Sequence, residues 1–561
     1  MSDKENSDKE LEEAMNDAES GDDMESEDKK ESTSSALVRM ITEDSTAKVM
    51  LFHDESKDPY MQITVGEHRE IWSCKTKMCR RWIAQRYWRK QKKAAGAEAL
   101  KTALAVIEGK ACFDGPMIRL ANRITEHEGA IWYDLSDTEW RAVKVTKEGW
   151  EVVKNPPVLF KRYSHQKAQS EPVRDGDVNL LFEYLNVSDE EQQILLLVWL
   201  IACFVPNIPH PILIIYGPQG SSKSVLCRLV KKIADPSIVE TTGFPRNTNE
   251  LVQLLAHHWC LAFDNVSYLS HDISDELCKA VTGGGLSKRE LYSDDDDVLY
   301  TIRRCLVING INLVATKPDI LERGILLELE RISEKKRMSE GAMIAEFEKD
   351  LPKILGGIFS VLQKSLQIEP SIKLSSMPRM ADFARWGCAI AQALGQPQER
   401  FLAAYQANIS RQNDEVLAGS IVAWLLLSFM GTKDSWEGTP TALRNALIQE
   451  ADDNGATDIA KDRDFPRSAN VLGKRVNELM TNLATKGLYI TRGKEKKRRY
   501  FCIRNEKKDV VSVGSVAPSS SIGATSPQRE DHSLFGPNTD KGDDRDDKDD
   551  DVLNPWDPET F

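Results

Sequence analysis

The stretch that most constrains this chain is Gly217-Pro-Gln-Gly-Ser-Ser-Lys-Ser224, which follows directly on the apolar run Pro211-Ile-Leu-Ile-Ile-Tyr216. Such a run reads as a buried strand. A glycine-bearing loop between strand and helix then points several backbone N–H groups, and the positive end of the helix, at one spot. Phosphate is the group that fits there. On this reading Gly217 and Gly220 let the backbone close around a β-phosphate, and Pro218, Gln219, Ser221 and Ser222 complete the loop. Lys223 reaches the β and γ oxygens, and Ser224 gives its hydroxyl to Mg²⁺. The usual spacing, G-x-x-x-x-G-K-[ST], has glycine where this chain has Ser222. That serine must adopt a backbone conformation that glycine takes at no cost.

With 561 residues the chain has room for about three or four domains. Its net charge of −14 is unevenly placed: residues 1–34 hold 14 acidic and 4 basic side chains, residues 527–561 hold 12 and 4, and the body between them carries +4. Acidic, serine-rich ends bury too little apolar surface to offset the entropy of ordering, so disordered tails are expected over 1–34 and 505–561. The tip that ends in Phe561 reads as a solubilising tail, with recruitment of a partner or masking of the chain's own basic surface as alternatives. Ten scattered cysteines without a CxxC pair indicate neither a zinc site nor a disulfide framework. The longest apolar stretch, 194–205, is too short to span a bilayer and the N-terminus is acidic, so a cytoplasmic protein with no membrane partner is expected.

Residues 35–165 read as a basic and β-rich accessory domain. Short strands are expected within 48–52 and 60–65. A helical stretch over 75–93 then carries nine lysines and arginines among Trp72, Trp82, Tyr87 and Trp88. That mixture suits a phosphate backbone with base stacking, or else a solvated basic helix whose aromatics belong to a core. Residues 118–153 alternate with period two between Glu-Gly turns, which predicts an antiparallel meander. Its Asp134 and Asp137 are not placed for paired metal binding. Residues 177–412 read as a nucleotide-binding core and helical lid, with Asp189-Glu-Glu-Gln as a first helical turn. Residues 416–504 have a winged-helix outline. Lys474 and Arg475 would face out from its recognition helix, and Lys494, Lys496, Lys497, Arg498 and Arg499 would form a basic wing on DNA.

Beyond the loop, Trp259-Cys-Leu-Ala-Phe-Asp264-Asn265 is an apolar strand ending in an acid, the arrangement that holds Mg²⁺ opposite a phosphate loop. Many ATPases place glutamate next; Asn265 can orient a water but cannot take its proton. A second strand, 305–309, ends in Asn309, whose amide would hold the γ-phosphate or the lytic water, with Asn312 second. Arg323 sits between a helix end and a returning strand, a position suited to reaching a neighbouring subunit's ATP. The catalytic set is therefore Lys223, Asp264, Asn265, Asn309 and Arg323.

The order GPQGSSKS, LAFDN, TGGGLSKRELY, LVINGIN, KPDILERGILLEL resembles the superfamily 3 helicases of the AAA+ class, above all the poxvirus-type primase-helicase ATPases of phages and plasmids. The resemblance covers about residues 180–410 and implies an α/β P-loop NTPase with an AAA+ core that works as a homo-oligomeric ring. It further implies that Lys288 and Arg289 lie on or near a hairpin gripping DNA in the central channel, and that Arg379 is a lid arginine acting in cis. ATP and Mg²⁺ are the implied cofactors, and single-stranded or origin-duplex DNA the partner. The N-terminal region matches no primase, so a separate primase or single-strand-binding protein would cooperate. The function expected is an ATP-dependent DNA helicase or translocase in replication of a mobile element; the alternative is an ATP-switched DNA-binding initiator or regulator with little hydrolysis.

Overall fold

The computed structural model describes residues 31–506, apart from 44–47, 246, 267–268, 290–296, 302, 311–317, 333–338, 457, 463 and 496–497. The expected acidic tails (but for residues 31–34 and 505–506), Asn312, and the wing residues Lys496 and Lys497 lie outside the described residues.

The Ser32 hydroxyl accepts from the Ser35 N–H and caps α1 (Thr33–Thr42). Next comes an antiparallel sheet, β1 (Met50–His53), β2 (Pro59–Val65) and β3 (His68–Ser73), with β2 in the middle. Along β2, Met61 and Ile63 face one core with Leu37, Ile83 and Ile107, while Tyr60 faces another with Phe52 and Ile71. The basic stretch forms α2 (Lys77–Gln91), capped by Thr76 and ended by Lys92 in the left-handed region; α3 (Ala97–Phe113) packs beside it.

The expected meander is present as β4 (Ile124–His127), β5 (Ala130–Asp134), β6 (Ala142–Val145) and β7 (Trp150–Val153), antiparallel and in sequence order. Its first turn has two central residues with positive φ, Glu128 at 51° and Gly129 at 73°, the twist that matches adjoining strands. Side chains from the centre of the chain weld the meander in place. Tyr133 and Trp150 pack on Phe359, with Tyr133 also against Phe204. Arg123, fully buried, donates to Asp235 at 3.1 Å. Asp235 also receives Lys231 Nζ at 2.7 Å and the backbone N–H groups of Trp259 and Cys260. Burial alone would raise the Asp235 pKa, but Lys231 and Arg123 hold the carboxyl well below the usual range. Asp134, paired with Arg162 at 2.6 Å, is a structural acid.

The centre runs through α4 (Glu190–Ala202), β8 (Ile212–Tyr216), α5 (Lys223–Ala234), α6 (Thr248–His257), β9 (Cys260–Phe263), α7 (His271–Thr282), β10 (Gly285–Arg289), β11 (Asp297–Thr301), β12 (Cys305–Asn309), α8 (Pro318–Leu321), β13 (Gly324–Glu328), α9 (Glu340–Ile368), α10 (Ala381–Ala393) and α11 (Gln398–Ala418). Asp189 caps α4 through the Gln192 N–H, at the helix start read from the sequence. β13, β8, β12 and β9 form, in that order, a parallel sheet. Covered on both faces, its strands are apolar without alternation. The exposed edge of β13 is clipped by α11: the Asn408 amide exchanges two hydrogen bonds with Leu326, and Gln412 donates to Gly324 O. The protein is thus a mixed α/β structure around a parallel sheet.

The C-terminal part comprises α12 (Ile421–Gly431), β14 (Ser435–Gly438), α13 (Pro440–Asp453), α14 (Ala469–Thr485), β15 (Leu488–Glu495) and β16 (Arg498–Asn505), with an antiparallel sheet β14-β16-β15. One apolar core continues from Ile124 of the meander through the parallel sheet to Ile503. Among the described residues no single helix is long and apolar enough to cross a membrane.

Candidate functional site

β8 delivers the 217–222 loop at the carboxyl edge of the parallel sheet, where open α/β sheets place their ligands. Gly217 (φ 142°) and Gly220 (φ 78°) turn the chain. A Cβ on Gly217 would stand 2.2 Å from Leu329 O, so only glycine allows the segment after β13 to pass this close. Ser222 stands immediately before α5 at φ 63°, ψ 29°, the left-handed conformation demanded of a residue in a glycine's place. Its side chain makes no capping bond.

Lys223 Nζ folds back over the loop and donates to Gly217 O at 2.7 Å and Pro218 O at 2.8 Å. Burial pulls its ammonium below the ordinary lysine value, against the pull of Asp264. One residue on, Ser224 Oγ donates to Asp264 Oδ1 at 2.9 Å. The two side chains, one in the first turn of α5 and one just past the end of β9, therefore meet. Asp264 is positioned by its own N–H, which donates to Thr242 O at 3.0 Å on a neighbouring segment.

Asn309 is 2% exposed. Its amide oxygen accepts from the Asn265 N–H at 2.8 Å and its amide nitrogen donates to Cys227 Sγ at 3.1 Å. In this state it splints the tip of β9 to α5. Asn265 itself lies in the left-handed region, φ 54°, with an exposed side chain. Cys227 and Thr242 escaped the sequence reading because their contribution is a contact with a distant strand tip, which no local spacing records.

Arg323 and Arg379 stand elsewhere. Ile212 N donates to Arg323 O at 2.8 Å, which puts Arg323 at the amino end of β8, about 13 Å of strand away from the loop. Its guanidinium bonds Asp319, one helical turn earlier. Arg379, expected to act in cis over the loop, instead pairs with the same Asp319 at 2.6 Å and with Glu322. The two arginines thus form one cluster at the far end of the sheet from Lys223. Asp319, the residue that joins them, was legible as the i−4 partner of Arg323 but not as the partner of Arg379.

Lys288 and Arg289 lie on β10, which pairs with β11 as an antiparallel hairpin. In the C-terminal part Lys474 is exposed on α14, and Arg475 pairs with Glu478 at 3.0 Å. The expected basic turn is drawn into strands: Lys494 opposes Arg499 and Glu495 opposes Arg498 across β15 and β16.

Residues 178–415 match the family model described as actinomycete integrative conjugative element replication protein, and residues 422–521 match the RepA C-terminal domain of the same elements. Among curated proteins none matches this sequence. Solved structures with similarity include the apo A form of the NrS-1 C-terminal region, at 14% identity over 82% of this chain and 96% of that one, TM-score 0.35. A JCV helicase structure aligns at 12% identity over 38% of this chain and 67% of that one, TM-score 0.20.

Proposed function

We propose that this chain, which carries both successive segments of the replication protein family of actinomycete integrative conjugative elements, is an ATP-dependent DNA helicase or translocase. In this reading it has an AAA+ P-loop core and a C-terminal winged helix and acts as a ring. The observation that carries it is the meeting of Lys223, Ser224 and Asp264 at the carboxyl edge of the parallel sheet, with Arg323 at the opposite edge. The Ser224 hydroxyl and Asp264 carboxylate are the hard oxygen donors that Mg²⁺ takes. Mg²⁺ held there would neutralise charge on the β and γ oxygens of ATP.

The chain's own groups do the rest. The loop N–H groups and the start of α5 bind phosphate, and Lys223 exchanges the Gly217 and Pro218 carbonyls for phosphate oxygens. Asn265 orients water. Arg323 is too far from its own loop to serve it and faces a neighbour's nucleotide, the kind of finger worth roughly 10³ to 10⁵ in rate. Arg379 shares its carboxylate and would enter the same interface. Lys288 and Arg289 on the β10–β11 hairpin, with Lys474, Lys494, Lys496, Lys497, Arg498, Arg499 and Arg475, would contact DNA.

A second reading, an ATP-switched initiator that barely hydrolyses, is favoured by one observation. The position after Asp264 is an amide, and the nearby Asn309 amide is already engaged by Asn265 and Cys227. Steady-state ATP hydrolysis with and without single-stranded DNA decides, using Arg323→Ala, Arg379→Ala and mixtures of each with Lys223→Ala. Stimulation by DNA, with activity partly restored only in the mixtures, is expected. Tight ATP binding with negligible turnover in every condition would replace the helicase by the switch.

A further inference from the structure

The basic helix α2 lies outside both family segments, and neither the nucleotide site nor the C-terminal part uses it. The structure separates its aromatics into two kinds. Trp72 and Trp82 meet edge to face at 6.0 Å, Arg86 stands over Trp82 at 5.5 Å, and Tyr87 is buried with Cys79 and Ile83, so these belong to the core. Trp88 is 53% exposed.

At 100° per residue Lys77, Arg81 and Trp88 fall within about 40° of one another, along roughly 16 Å from Lys77 to Trp88, and Lys92 follows as the residue that ends the helix. No acidic residue occurs from 75 to 93. Among the described residues Lys77, Arg81 and Lys92 form no ion pair. An exposed indole in a row of uncompensated cations is ill placed for water alone. It complements a chain of phosphates that also offers free ring faces.

We propose that this face of α2 binds single-stranded nucleic acid, the cations tracking phosphates while a base stacks on Trp88. Duplex DNA offers the same phosphates but hides its base faces, so the indole selects single strands. The inference rests on the proposal that the chain acts on DNA, yet its test is separate. The acidic segment ending at Phe561, with its carboxylates and Trp556, is the competing occupant.

The test is binding of fluorescein-labelled dT20, and of a 20-base-pair duplex, to the full chain between 50 and 200 mM salt. Trp88→Ala and the triple variant Lys77→Ala/Arg81→Ala/Lys92→Ala are compared with the parent, with unchanged thermal midpoints as the folding control for these exposed positions. Trp88→Ala should weaken dT20 about fivefold or more without altering the salt slope. The triple variant should lower that slope by about two, at about 0.7 per phosphate contact. Duplex affinity should not respond to Trp88→Ala. The proposal is overturned if the parent does not bind dT20, if both variants bind it as the parent does, or if duplex binding falls in step. Tighter dT20 binding by the variants would overturn it in favour of the acidic segment. A parent that binds dT20 through this face but shows no DNA-stimulated hydrolysis would sink the helicase reading and leave this one standing.

Discussion

Ser222→Gly tests whether the loop of residues 217–222, proposed to bind phosphate, is assembled before any ligand arrives. Ser222 already sits at φ 63°, ψ 29°, and its hydroxyl caps nothing. An L-residue in this conformation costs about 1–2 kcal/mol, and glycine escapes that cost while losing about 0.5–1 kcal/mol more chain entropy on folding. The net gain is about 0.5–1 kcal/mol of stability. In a chain of this size it should raise the thermal midpoint by about 0.5–1 °C. Since the strain is present without nucleotide, relieving it stabilises the free and bound states alike. ATP affinity, followed by titration with a fluorescent analogue, should therefore stay within about twofold of the parent. Were the left-handed turn formed only on binding, the same energy would appear in the dissociation constant as a two- to fivefold tightening, with no change in midpoint. That outcome would refute the preorganised loop.

Gly217→Ala places a methyl 2.2 Å from Leu329 O at a φ of 142°, so it should force the loop from the 329–332 segment and abolish nucleotide binding; analogue titration checks this. Asp235→Asn leaves Arg123 and Lys231 buried without their counter-charge and should cost about 3–5 kcal/mol, read from the urea midpoint. His258 and His165 are pushed down to about 3 and 4, by burial first and then by the Lys231 ammonium. Both are neutral in the fold, whereas the unfolded chain binds protons below about pH 6.5, so stability should decline as pH falls from that value through the folded pKa values. His258→Gln should flatten the profile; an identical slope would remove His258 as a source.

The parallel-sheet strands and the meander were legible because local periodicity and turn chemistry set backbone class. Apolar runs without alternation predict doubly covered strands, and Glu128-Gly129 can make its turn in few ways. The basic segment expected to form a wing was less legible. Strand pairing carries Lys494 and Arg499 into the ladder, because cross-strand registry, and not the charge of the segment, decides where a hairpin turns.

What the sequence by itself determined was chemistry confined to one segment: the loop of residues 217–224, the acid at the tip of one strand, the amide at the tip of another, and the strained backbone required of Ser222. Tertiary structure decided which of these meet. It brought Ser224 to Asp264, tied Asn309 to Cys227, joined Arg379 to Arg323 through Asp319 at the other end of the sheet, and packed Trp82 against Trp72 while leaving Trp88 in solvent. The physical reason is range. Spacing along the chain reports neighbours within a turn or a strand, whereas the end of a sheet that a remote segment joins is set by the packing of helices such as α5 and α11 against it.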